Sequence, residues 1–72
     1  MVPVPVRCRL PDILSSLGKT QAWLSDNTGY SPQRISDYAR MRRVMSLEAA
    51  YLISSTLKVE IKDLYVWKWQ PE

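Results

Sequence analysis

The sequence contains no histidine and a single cysteine, Cys8. Without histidine there is no Ser/His or Cys/His pair for nucleophilic catalysis, and without paired cysteines there is no plausible zinc site. One cysteine forbids an intramolecular disulfide, so stability must come from packing, and Cys8 reads as a small half-buried hydrophobe rather than a reactive thiol. No apolar run is long enough to span a bilayer and no secretory signal is visible, so the expectation is a cytoplasmic protein that keeps clear of membranes. Repeats and low-complexity stretches are missing too. These absences argue against an enzyme and against a bound metal or cofactor.

What is present is a chain of 72 residues, 46% apolar, enough for one small core shared by every function. Lys and Arg outnumber Asp and Glu by ten to seven. The excess is local: Ser31 to Arg43 holds four arginines and one aspartate, a net +3 that equals the formal charge of the whole chain. A basic segment of this kind favours an anionic partner.

Val2, Val4 and Val6 alternate with Pro3 and Pro5, as an extended strand or a polyproline-like arm would. Pro11 and Asp12 suit the first turn of a helix with Leu10, Ile13, Leu14 and Leu17 as its apolar stripe, ending at Gly18. Thr20 is an N-cap for a short helix from Gln21 to Asn27 with Trp23 and Leu24 inward. Thr28, Gly29 and Tyr30 form a break, and Ser31 with Pro32 restarts a helix after only three residues. Ser46 caps a fourth helix with Leu47, Ala50, Ile53 and Leu57 at core spacing. Glu60 to Tyr65 gives a last helical turn burying Ile61 and Leu64, and Val66 to Trp69 alternate again as a strand would. The expected fold is mainly α, a compact bundle of about five short helices. The chain ends are expected to add a small two-stranded sheet, with the proline-bearing N-terminal segment as an edge strand.

At 100° per residue, Pro32, Ile35, Tyr38 and Ala39 share the inner side of the third helix. Gln33, Asp37 and Arg40 lie opposite, flanked by Arg34 and Ser36. Glutamine and arginine present two hydrogen-bonding atoms in a plane, which is how base edges in a major groove are distinguished. Alone, the same surface also reads as a solvated helix face.

The order GKTQAWLSDNTGYSPQRIS, SLEAAYLISSTLKV, EIKDLY resembles the Cro and phage-repressor type helix-turn-helix family, often called the XRE family, from Leu10 to Tyr65. The resemblance implies that the helix from Gln21 lies across the DNA backbone and the helix from Pro32 enters the major groove. It assigns base reading to Gln33, Arg34, Ser36 and Asp37. Phosphate contacts fall to Gln21, Ser31, Arg40, Arg42 and Arg43, and the buried anchors to Ile35 and Leu24.

Three departures stand out. Met41 occupies the place of a glycine, so the third helix is expected to run on or to end without a left-handed cap. Lys19 replaces a leucine, with Leu17 as the candidate for the missing apolar contact. Ala39 replaces a glutamate and removes an ion pair. Asp37 is a carboxylate on a face turned toward phosphates; it reads first as the residue that orients Arg34 or Arg40, each three positions away, with acceptance from cytosine N4 or a solvated acid that tempers the charge as the alternatives.

Residues 1–9 are thus expected to form an arm or edge strand, 10–65 the DNA-binding unit, and 66–72 a C-terminal strand or tail. The leading function is a sequence-specific DNA-binding transcriptional regulator, a small repressor or Cro-like switch protein that blocks an operator by its bulk. Such a protein works as a homodimer on a two-fold symmetric site. Trp67 and Trp69 are the first candidates for the dimer contact, followed by Tyr51 and Leu52. The alternative is a protein-binding anti-repressor or antitoxin-like module built on the same fold, for which the many aromatics speak.

Overall fold

A computed structural model describes all residues, 1–72. The chain forms a strand β1 (Val2–Cys8), four α-helices, α1 (Leu10–Leu17), α2 (Gln21–Thr28), α3 (Pro32–Ala39) and α4 (Leu47–Leu57), a 3₁₀ turn (Ile61–Leu64) and a strand β2 (Tyr65–Gln70). Local chemistry sets these boundaries. The hydroxyls of Thr20, Ser31 and Ser46 accept the N–H groups of Trp23, Arg34 and Ala49 at 3.0, 3.1 and 3.1 Å. Each such cap stabilises its helix by about 1 kcal/mol.

Helix ends are as well defined as helix starts. At the end of α1, Gly18 is left-handed, and the N–H groups of Gly18 and Lys19 return to the carbonyls of Ser15 and Leu14. The end of α4 repeats that bonding with Lys58 at φ 59°, its N–H and that of Val59 donating to Ser55 and Ser54. A non-glycine residue in this conformation is strained by its Cβ. Because Lys58 is exposed, Lys58→Gly is expected to stabilise the fold by about 1 kcal/mol. Thermal unfolding should register it as a rise of about 4–8 °C, and a fall would show that the lysine side chain matters to the native state.

The expected fifth helix is only a four-residue 3₁₀ turn, so the α-helices number four. Its Asp63 N–H bonds back three residues to the Glu60 carbonyl at 3.0 Å, and the chain enters β2 at Tyr65 before a four-residue ladder can start. Glu60 and Asp63 cap each other through side chain and backbone.

Leu10, Leu24, Ile35, Ile53 and Leu64 are wholly buried and join Ile13, Leu14, Ala49, Ala50 and Leu57 in one core. Cys8 is deeper than expected, 4% exposed, and burial pushes its thiol pKa up, which keeps it protonated and unreactive. Several expected core positions lie outside. Leu17 is 47% exposed, Leu47 74%, Ile61 36%, and Pro32 is exposed as well. Leu17, Leu47 and Pro32 are the first or last residues of their helices. Leu17 therefore does not replace the missing leucine at Lys19; instead the Lys19 ammonium sits 5.0 Å from the centre of the Trp23 ring and covers it.

β1 and β2 pair antiparallel, with Val2 opposite Gln70, Pro3 opposite Trp69, Val4 opposite Lys68 and Pro5 opposite Trp67. A bulge at Val6 shifts the register before Arg7 meets Val66 and Cys8 meets Tyr65. Proline has no N–H, so Pro3 and Pro5 cannot complete pairs in which both residues donate; the bonded pairs are those of Val2 and Val4. The expected end-to-end sheet, with its proline edge strand, is present. Tyr65 anchors it to the helices: its buried hydroxyl accepts the Met45 N–H at 3.0 Å.

That bond carries a prediction. Tyr65→Phe leaves the Met45 N–H without a partner and is expected to destabilise by about 1–3 kcal/mol in urea unfolding at neutral pH. Burial raises the Tyr65 pKa above the ordinary tyrosine value. The unfolded chain therefore loses this proton first, so the stability tied to the buried neutral phenol is complete below about pH 10 and is lost as pH rises through the folded value, the Met45 bond working the other way by favouring the phenolate. The Phe variant should lack that alkaline component; an identical alkaline profile in both proteins would refute it.

Candidate nucleic-acid interface

α2 and α3 are joined by Gly29, Tyr30 and Ser31, and bonds from neighbouring side chains fix this turn. Gly29 takes φ 80°, a conformation that a side chain would strain. The Ser25 hydroxyl donates to the Tyr30 carbonyl at 2.5 Å, and the Tyr30 N–H donates to the Thr28 hydroxyl at 3.3 Å. Inside, Leu24 of α2 and Ile35 of α3 are both fully buried in the core. The angle between the two helices is therefore held by core and turn together.

The outer side of α3 carries Gln33 and Arg40, both exposed, with Arg34, Ser36 and Asp37 partly exposed between them. Ser31 is exposed at the start of α3, and Gln21 is partly exposed at the start of α2. Arg42 and Arg43 follow α3 in an exposed loop. The residues expected to read bases thus share one helix face, and those expected to meet phosphate flank it.

Met41 shapes the end of this face. It adopts φ 60°, and its N–H donates to the Tyr38 carbonyl at 3.2 Å while the Arg42 N–H donates to the Asp37 carbonyl at 2.9 Å. The helix thus stops with a left-handed cap, contrary to expectation, with methionine bearing the strain that glycine would avoid. Met41 packs its side chain against the core, which offsets that strain.

The cap also decides the partner of Asp37. Its carboxylate lies 3.6 Å from an Arg42 terminal nitrogen and accepts the Gln33 amide at 3.0 Å. Neither Arg34 nor Arg40 is its ion-pair partner, because the left-handed turn at Met41 brings Arg42 back alongside. Asp37 thus tethers a glutamine and an arginine of the basic loop.

Arg34 is held by tyrosines. Its Nε–H donates to the Tyr38 hydroxyl at 2.7 Å, and its guanidinium carbon lies 4.2 Å from the centre of the Tyr30 ring. The Tyr38 bond raises the Arg34 pKa still further, so the charge is permanent. Neither tyrosine figured among the expected site residues. The spacing Tyr30, Arg34, Tyr38 is a double four-residue step, and that was the available signal.

Two short helices joined by a fixed glycine turn, the second bearing amide, guanidinium and carboxylate groups beside a basic loop, define a helix-turn-helix domain. Residues 13–64 match the helix-turn-helix family model, and the chain belongs to this family of DNA-binding transcriptional regulators, of the XRE type. Over 70 residues it is 34% identical to the SPbeta prophage-derived uncharacterized HTH-type transcriptional regulator YopS of Bacillus subtilis (strain 168), covering 94% of this chain and 95% of that protein. No helix is long and apolar enough to cross a membrane.

Proposed function

We propose that this chain is a phage-derived, sequence-specific regulator that occupies an operator and excludes polymerase by its bulk, as a Cro-like switch protein does. The observation that carries this reading is the outer face of α3, where Gln33 and Arg34 stand in the first turn with their planar groups already oriented. Gln33 gives one amide hydrogen to Asp37 and keeps a second hydrogen and its carbonyl oxygen, the two groups that match adenine N7 and N6. Arg34 supplies a second base contact, and Ser36 and Asp37 line the same groove. Gln21, Ser31, Arg40, Arg42 and Arg43 meet the phosphates on either side. Residues 10–65 form the DNA-binding unit, and the sheet of residues 1–9 and 66–72 serves assembly.

Selection of bound sequences from a random duplex pool at moderate salt tests this reading, with enrichment of a two-fold symmetric motif as the expected result. On the selected site, Gln33→Ala is expected to lose about 1–3 kcal/mol of binding, and less on random DNA. Arg43, which has no ion-pair partner, gives the complementary case: Arg43→Ala should weaken binding to all duplexes alike and flatten the salt slope by about one unit. No enrichment, or equal losses for Gln33→Ala on both kinds of DNA, would sink the assignment.

The working species is a homodimer. Both strands of the sheet are edges, but they are not equivalent. The outer edge of β1 presents Pro3 and Pro5, which cannot donate, whereas the outer edge of β2 presents the N–H and C=O groups of Trp67 and Trp69. A second copy adding its own β2 there would extend the sheet to four strands. The exposed side chains point to the same surface: Tyr65, Trp67 and Trp69 share one face and are 6%, 38% and 60% exposed, increasingly open toward the chain end. With Pro3 and Lys62, the two tryptophans line an open cavity of about 380 Å³.

A further inference from the structure

We propose that Tyr30 and Tyr38 are positioning residues for specificity, holding Arg34 so that its two terminal nitrogens face a guanine edge. The inference rests on the DNA-reading assignment of α3 and adds the device that makes one of its contacts selective. A free arginine has about 2 kcal/mol of rotamer entropy to lose on binding, and a side chain already ordered loses less. In this protein the ordering is built in before DNA arrives.

Three contacts define the pose. The Nε–H is taken up by the Tyr38 hydroxyl at 2.7 Å. Tyr30 lies beneath the guanidinium at 4.2 Å, and its ring meets that of Tyr38 edge to face, with centroids 6.4 Å apart and an interplanar angle of 77°. Tyr38 itself is only 1% exposed and Tyr30 is partly buried against the core, so the two rings are held by packing.

The geometry selects among the ways an arginine binds. With Nε–H committed, the side-on fork of Nε and one terminal nitrogen is blocked, and only the end-on fork of both terminal nitrogens is left. No carboxylate pairs with Arg34; the nearby acid, Asp37, is engaged by Gln33 and Arg42. Two parallel N–H donors in a fixed plane match guanine O6 and N7, the commonest specific contact in a major groove. A phosphate would also accept such a fork, but it would gain little from a fixed plane, because it is read by charge on every sequence alike.

The test uses the full chain, a duplex carrying the motif selected by wild-type protein, and a scrambled duplex of equal length and composition. Tyr38→Phe removes the acceptor but keeps the ring, Tyr30→Leu removes the stacking face, and Tyr30→Phe keeps it. Tyr38→Phe and Tyr30→Leu are each expected to weaken binding to the selected duplex by roughly three- to tenfold and to leave the scrambled duplex nearly unaffected. Tyr30→Phe should stay close to wild type. In an Arg34→Ala background, itself weaker by roughly five- to 150-fold, both tyrosine effects should disappear. Replacing the contacted guanine by 7-deazaguanine, which lacks N7, should weaken wild-type protein and leave Arg34→Ala indifferent. Equal losses on both duplexes would place Arg34 on phosphate, and losses persisting without Arg34 would make the tyrosines merely structural; either overturns the proposal. So does a Tyr30→Phe loss as large as that of Tyr30→Leu, or no loss at all from Tyr38→Phe. Failure of the underlying reading shows separately, as wild-type protein that binds no duplex in a salt-dependent way.

Discussion

Ile35→Ala is expected to lower the stability of the fold by about 2–5 kcal/mol, the usual range for truncating a buried isoleucine to a methyl. Ile35 is fully buried, on the inner side of α3, in the same core as Leu24 of α2 and Leu10 of α1. The space it leaves has little means of closing, because Leu24 sits on a helix whose end is fixed by Gly29 and the Ser25–Tyr30 bond. For a chain of this size the loss is a large share of a total stability of about 5–15 kcal/mol. Urea unfolding should therefore show a lower midpoint with an unchanged slope. DNA binding should fall only in proportion to the unfolded fraction and recover when the protein is cooled toward its stability maximum. Gln33→Ala should behave in the opposite way, with an unchanged urea midpoint and weakened site binding. If Ile35→Ala weakened binding in fully folded protein as much as Gln33→Ala does, the division between the two sides of α3 would be wrong.

That division was legible in the sequence because it depends on short-range rules. Ser31 and Pro32 fix where α3 starts, and a step of 100° per residue then sends Ile35 and Tyr38 inward and Gln33, Asp37 and Arg40 outward. The sheet was legible for a similar reason: two prolines spaced by two leave one side of a strand free to bond, and the alternating segment at the other chain end is its complement.

What depended on a single backbone angle was not legible. Met41 stands where the family has a glycine, but methionine itself does not favour a left-handed angle, and that angle ends α3 and delivers Arg42 to Asp37. Periodicity alone offered Arg34 and Arg40 as the aspartate's partners, being three residues away on a helix that was expected to run on or to end without a left-handed cap. Arg34 was instead claimed by Tyr30 and Tyr38, a contact across the turn that helical spacing only half encodes. The exposure of Leu17 and Leu47 had a different cause: both are terminal residues of their helices, and periodicity assigns a residue to a face without saying where along the helix burial stops.

Removing the exposed tryptophan at the end of β2 should convert the proposed dimer to a monomer and reduce operator affinity by about 10²–10⁴-fold, the advantage of holding two reading heads together. Trp69 is the cleaner choice of the two. Trp67 donates its ring N–H to the Lys62 carbonyl at 2.8 Å and stacks edge-on against Tyr65, so its loss would also disturb the fold. Trp69 is 60% exposed, faces Pro3 across the strands, and has no such intramolecular bond. Trp69→Ala should accordingly keep its thermal unfolding curve while sedimentation at micromolar concentration changes from dimer to monomer. Its binding to one isolated half-site should match wild type, since Gln33 and Arg34 lie on a different element. Tyr51 and Leu52, 67% and 38% exposed on α4, supply the competing surface. A dimer that survives Trp69→Ala but dissociates with Tyr51→Ala would move the contact from the sheet edge to α4. Wild-type protein that stays monomeric throughout the micromolar range would remove the free dimer altogether, leaving pairing to occur only on DNA.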